Sequence, residues 1–183
     1  MPPDISARSR PGVEVAEELG HVEGVSLDRR IAREGRLAEK EVRQVARQVA
    51  EALATAHGKG VVHRDLKPGN ILVTEVDGKP VPKIIDFGVA RATEQREFER
   101  TMFTQAGHVV GTPAYMSPEQ VYGDRPVDHR SDVYALGCTL YKLLAGHPPF
   151  SGESYNSIAK RLRGHAEDPP PAIREARPEV PDA

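Results

Sequence analysis

Within eight consecutive residues, His63-Arg64-Asp65-Leu66-Lys67-Pro68-Gly69-Asn70, the chain places a carboxylate, an ammonium group and an amide at fixed offsets. Asp86-Phe87-Gly88 adds a second carboxylate about twenty residues after Asp65. These are the groups that in-line transfer of a phosphoryl group to a hydroxyl requires. A serine or threonine hydroxyl is a weak nucleophile near neutral pH, so a carboxylate must orient it and take its proton as the bond to phosphorus forms. An ammonium such as that of Lys67 can extend positive charge to the phosphoryl group, whose own charge is spread over three oxygens in the transition state. The amide oxygen of Asn70 and the carboxylate of Asp86 are hard oxygen ligands of the kind magnesium prefers while it keeps its waters and nucleotide phosphates. Any one of these residues alone is ordinary turn chemistry, because Asp, Asn, Gly and Pro concentrate in turns. The whole set in this order is more than a turn asks for.

The two segments resemble the catalytic loop and the magnesium-binding motif of the eukaryotic-type protein kinases, in their bacterial serine/threonine branch. The resemblance implies that Asp65 is the catalytic base, that Lys67 touches the transferring phosphoryl group, and that Asn70 and Asp86 hold Mg2+. It implies ATP as phosphoryl donor and serine or threonine hydroxyls of proteins as acceptors. Gly111-Thr112-Pro113-Ala114-Tyr115-Met116-Ser117-Pro118-Glu119 resembles the end of a kinase activation segment, with Ser-Pro-Glu in place of the commoner Ala-Pro-Glu. Thr112 is then typical of the serine/threonine class, with its hydroxyl against the catalytic Asp and Lys. Asp132-Val133-Tyr134-Ala135-Leu136-Gly137 resembles the start of the long buried helix of the large lobe, where Asp132 would accept hydrogen bonds from the catalytic-loop backbone. His21-Val22-Glu23-Gly24, followed by Ser26-Leu27, resembles the hinge between lobes. On that likeness the Val22 N–H and the Gly20 carbonyl face adenine, and Leu72 packs beneath it. Arg64, directly before Asp65, is implied to pair with a phosphorylated threonine of the activation segment, for which Thr101 and Thr104 are better placed than Thr93 or Thr112.

The elements that must position these residues can be read from pattern. Val61-Val62 and Ile71-Leu72-Val73 are short β-branched runs bounded by Gly60, Pro68 and Gly69, which predicts a short strand on each side of the loop. Lys83-Ile84-Ile85 predicts a third strand leading into Asp86, and Asp77-Gly78 is a turn signal ahead of it. From Glu39 to His57 the residues Val42, Val45, Ala46, Val49, Leu53 and Ala56 recur at spacings of three and four, predicting one amphipathic helix that feeds the loop. Residues 131–145 are apolar nearly all round, predicting a buried core helix that Gly146 ends and Pro148-Pro149 forbid to continue. A weaker helix is predicted over 154–163, and a short one over 26–33 with Ser26 as N-cap. The fold class expected is α+β and mainly helical: a protein-kinase-like large lobe with short strands around the catalytic loop.

Composition bounds what else the chain can do. At 183 residues, 38% hydrophobic and 28% charged, it fits one soluble domain with a moderate core. A formal net charge of -2 gives no support for nucleic acid or an acidic membrane surface as partner. No apolar run is long enough to span a bilayer and no signal-peptide pattern opens the sequence, so the expected location is cytoplasmic. Cys138 is the single cysteine, expected to be a small buried hydrophobe, and the seven histidines show no paired metal-ligand spacing.

The glycine-rich strand-turn, the strand lysine and the helical glutamate of a kinase small lobe do not occur in the sequence. The expected organisation is a remnant small-lobe strand or poorly ordered segment over 1–19, a partial kinase domain over 20–167, and a Pro-rich, poorly ordered tail over 168–183. Two functions follow from this. One is a serine/threonine kinase using MgATP; the other is an inactive kinase fragment or pseudokinase-like binding module.

Overall fold

The computed structural model describes residues 24–87 and 113–181. Ser26 opens the first helix, α1 (Leu27–Glu34), by accepting a hydrogen bond from the Arg29 N–H at 3.3 Å, and Gly35 closes it at a positive φ of 79°, its N–H donating to the Ile31 carbonyl. The long helix α2 spans Glu39–His57 and buries Val42, Val45, Val49, Leu53 and Ala56, the stripe that the three-and-four spacing predicts. Arg30 pairs with Glu41, tying α1 to the first turn of α2.

After the loop and a short 3-10 turn (Pro68–Asn70), the chain forms a hairpin of β2 (Ile71–Val76) and β3 (Lys79–Ile84). Asp77 and Gly78 both take positive φ (51° and 70°), as a tight two-residue hairpin turn demands. A two-residue strand, β1 (Val25–Ser26), pairs antiparallel on the other edge of β2, Val25 opposite Val73 and Ser26 opposite Leu72. Gly24 allows this close approach, since a Cβ there would lie 3.0 Å from the Thr74 methyl and 3.1 Å from the Val73 carbonyl.

Then follow α3 (Pro118–Tyr122), the central α4 (His129–Ala145), α5 (Ile158–Glu167) and α6 (Ile173–Ala176). Leu27, Ile31, Leu37, the α2 stripe, Leu66, Ile71, Tyr115, Ala135, Cys138 and Leu143 form one core between α1, α2, α4 and the hairpin. Burial pushes the Cys138 thiol up to about 12, which keeps it an inert hydrophobe. Lys142 of α4 reaches Asp28 of α1 at 2.6 Å across that core's edge.

The structure corrects the pattern in four places. Val61-Val62 is no strand: among the described residues no strand lies against it, the Val61 N–H turns back to the Ala56 carbonyl at 3.0 Å, and the next residues are held by side chains beneath the loop. The third strand starts at Lys79, right after the turn, and ends at Ile84. Helix α4 is not buried all round: Val133 is 60% exposed, while Ser131, Asp132 and Thr139 face inward with Ala135, Cys138 and Leu143. The weak third helix runs Ile158–Glu167, behind a 3-10 turn at Glu153–Tyr155.

The Pro-rich stretch from Asp168 onward, expected as a poorly ordered tail, packs as far as Pro181. Its anchor is Arg177, which is buried and donates Nη1 to the carbonyls of Leu37 (2.6 Å) and Leu144 (3.4 Å), with Nε on Glu179 at 3.1 Å. A guanidinium filling orphan carbonyls needs no apolar pattern, so composition could not show it.

In α5, His165 is buried against Phe150, and its Nδ1 hydrogen-bonds with the Tyr134 hydroxyl at 2.8 Å. Burial depresses its ionisation from 6.5 to about 4. Between those values the unfolded chain binds a proton that the folded chain refuses, so this stabilisation is complete above about 6.5 and is lost as pH falls toward 4. Urea midpoints measured from pH 7 to pH 4.5 are expected to fall, and His165→Gln, which can still hydrogen-bond with Tyr134 but cannot titrate, is expected to flatten that slope.

Candidate active site

One buried carboxylate organises the loop. Asp132 is 0% exposed in the first turn of α4, where its Oδ2 accepts the His63 N–H and its Oδ1 the Arg64 N–H, each at 2.8 Å. The last residue of α2 adds a third donor: His57 Nε2 lies 2.7 Å from Oδ2. Filling the lone pairs in this way is what makes the burial of a carboxylate tolerable. These bonds also hold Arg64 at φ 68°, a left-handed conformation that costs a residue with a Cβ about 1–2 kcal/mol.

His63, fully buried, makes the second tie. Its Nδ1 accepts the Asp65 N–H at 3.2 Å, so the ring proton belongs on Nε2, which donates to the Ile85 carbonyl at 2.9 Å. The ring also packs on Phe87, 5.0 Å between centroids. In return the Ile85 N–H donates to the Asn70 carbonyl at 3.0 Å, extending the β2–β3 ladder one step past Ile71 and Ile84. The hairpin therefore sets Asn70, at the end of the loop, opposite Ile85, and Asp86 follows Ile85 directly past β3.

On this frame three of the predicted residues, Asp65, Lys67 and Asn70, come together. Lys67 Nζ lies 2.7 Å from Asp65 Oδ2, and Asn70 Nδ2 donates to the Asp65 carbonyl at 3.0 Å. With its NH2 end committed, Asn70 has its oxygen left as a ligand. Asp86 is exposed and takes φ 57°, a second non-glycine left-handed residue at the site. No cluster of three or more His, Cys, Asp or Glu able to hold a metal exists among the described residues. Two oxygens on adjacent chain segments suit Mg2+, which takes its other ligands from phosphates and water.

Leu72 is half-buried and shares a sheet face with Thr74, against Gly24, opposite to the face on which Ile71 and Val73 meet the core. Gly20, Val22 and Thr112 lie outside the described residues, as do Thr93, Thr101 and Thr104. On the far side of the loop, Gln120 of α3 donates Nε2 to the Arg64 carbonyl at 2.7 Å and accepts the Ser117 N–H at 3.0 Å and the Ser117 hydroxyl at 3.2 Å. Sequence reasoning missed Gln120 and His57. The Ser-x-x-Gln spacing of 117 and 120 was a legible helix-start signal, whereas nothing local marks His57 as a partner of Asp132.

A mainly helical lobe with a small antiparallel sheet, and a carboxylate-lysine-amide loop beside an Asp at the end of the hairpin, is the arrangement expected of the large lobe of a protein kinase. The chain belongs to the protein kinase family: residues 16–178 match the protein kinase domain model. It is 44% identical over 163 residues to the serine/threonine-protein kinase pkn3 of Myxococcus xanthus, covering 88% of this chain and 29% of that protein. It is 42% identical over 158 residues to the serine/threonine-protein kinase PknB of Mycobacterium tuberculosis, covering 85% of this chain and 24% of that protein. Among solved structures, it resembles a mutant kinase domain of Mycobacterium tuberculosis PknI with a TM-score of 0.59 at 29% identity, over 87% of this chain and 50% of that one. The chain thus spans less than a third of these two curated relatives and half of the solved domain.

If Asp132 holds the loop, Asp132→Ala strands two buried N–H groups and is expected to cost about 2–5 kcal/mol of stability in urea melts. Amide exchange at His63 and Arg64 should accelerate more than elsewhere in α4 or α2. Equal protection in wild type and variant would show that the loop is held by other means.

Proposed function

We propose that this chain carries the transfer chemistry of a serine/threonine protein kinase, moving the γ-phosphoryl group of ATP to serine or threonine hydroxyls of protein substrates. The observation that supports it most is the convergence of Lys67 on Asp65 at 2.7 Å with Asn70 locked onto the same loop. In this reading the Asp65 carboxylate orients the acceptor hydroxyl and takes its proton, and Lys67 stabilises the charge that develops on the phosphoryl oxygens. Thr112, which lies outside the described residues, is assigned by the same reading to contact with both groups. Asn70 and Asp86 hold Mg2+, which, when bound, neutralises phosphate charge. Leu72 would lie beneath the adenine of a bound nucleotide, and the reading assigns the backbone of Val22 and Gly20, both outside the described residues, to its edge.

Because phosphoryl transfer asks the protein for positioning and charge rather than covalent chemistry, the rigidity of the loop is itself a catalytic asset. Among the described residues no helix is long and apolar enough to cross a membrane. Dependence on ATP favours a cytoplasmic setting for the site.

Labelled phosphate from MgATP is expected to appear on serine or threonine of a mixed protein substrate, and Asp65→Ala is expected to lower the rate by about 10²–10⁴-fold. Transfer that survives Asp65→Ala would remove Asp65 as the base. No transfer by the wild-type chain would remove the kinase reading for it.

A further inference from the structure

Gln120 is engaged at both ends of its amide, and one end reaches the peptide that carries the proposed base. The peptide unit between Arg64 and Asp65 presents its carbonyl to Gln120 Nε2 at 2.7 Å and its N–H to His63 Nδ1 at 3.2 Å. The preceding peptide gives its N–H to Asp132 at 2.8 Å. Arg64 is thus gripped from two helices, by Asp132 of α4 at its N–H and by Gln120 of α3 at its carbonyl, and it is a left-handed residue at φ 68°. Left-handed backbone in a residue with a Cβ relaxes unless its surroundings hold it. Rotation of the Arg64–Asp65 peptide would change φ of Asp65 and swing its carboxylate.

The other end of Gln120 fixes which way the amide points. Its oxygen takes the Ser117 N–H at 3.0 Å and the Ser117 hydroxyl at 3.2 Å, so flipping the amide would break those contacts and the one to Arg64 together. Ser117 is fully buried, which makes this end rigid.

We propose that Gln120 is a positioning residue for phosphoryl transfer: its amide N–H holds the Arg64 carbonyl and so aims the Asp65 carboxylate, with Ser117 orienting the amide. This inference rests on the kinase reading above and assigns a further residue to it. It differs from a helix-capping role, which would use only the oxygen end of Gln120.

Gln120→Glu separates the two roles. It keeps an acceptor of the same length for Ser117, as Ser-x-x-Glu does in capping boxes, but puts an oxygen where the donor to Arg64 stood. Gln120→Met, of similar size, removes both ends and guards against an effect of the added charge alone. In the full chain we expect exchange of the Asp65 amide to accelerate about tenfold or more in both variants, with the α3 amides unchanged in Gln120→Glu. We also expect kcat for phosphate transfer to fall about tenfold or more in both, with KM for ATP and protein substrate within about twofold. Unchanged Asp65 exchange in either variant overturns the clamp. An active wild type whose Gln120→Glu variant keeps its kcat overturns the positioning role. An inactive wild type removes the kinase reading instead, while the exchange measurement still decides whether Gln120 holds the peptide.

Discussion

The site depends on a carboxylate that never meets solvent. Asp132 joins the start of α4, the end of α2 and the first two residues of the loop at one point, with donors at 2.7 to 2.8 Å. A buried carboxylate left unpaired would cost several kcal/mol, and paired to three donors it becomes a rigid joint. That requirement orients α4. The helix turns Ser131, Asp132 and Thr139 inward and leaves Val133 in solvent, against the simple expectation that apolar residues go inside. Ser131 in turn pairs with Glu119 of α3, so the element after residues 88–112 is attached to the same helix turn that holds the loop.

From that joint, order passes to Asn70 and Asp86 through His63. A ring that accepts from Asp65 on one side and donates to Ile85 on the other must stay in one tautomer, and it locks the loop to the outgoing strand. Neither bond touches substrate. Their effect is that Asp65, Lys67, Asn70 and Asp86 ride on a single hydrogen-bonded frame.

What was legible in the sequence is what local chemistry controls. The bounds of α2 followed from its apolar spacing, the hairpin from Asp77-Gly78, the end of α4 from Gly146, and the start of α1 from Ser26. The convergence of Asp65, Lys67 and Asn70 was legible because six consecutive residues of one loop contain all three. Contacts between distant parts of the chain were not. Val61-Val62 reads as strand by composition, yet a strand exists only where a partner offers its edge. His57 meets Asp132 across 75 residues, and Arg177 meets Leu37 across 140. Long-range pairs of this kind leave no period in the sequence, and a buried arginine in a Pro-rich stretch even imitates a disordered tail.

The substitution of Ser for the commoner Ala at 117 shows how a local departure is absorbed. Ser117 is 0% exposed, so its hydroxyl needs a partner inside the protein or loses about 1–3 kcal/mol in desolvation. Gln120 supplies one at 3.2 Å with the same oxygen that takes the Ser117 N–H. Once that oxygen is committed, the only orientation left for the amide nitrogen is toward the loop, where the Arg64 carbonyl receives it at 2.7 Å. An alanine at 117 would leave the Gln120 oxygen with one bond in place of two and its amide correspondingly freer to turn. The serine is therefore matched to the glutamine three residues on, and through it to the backbone of Arg64 and Asp65.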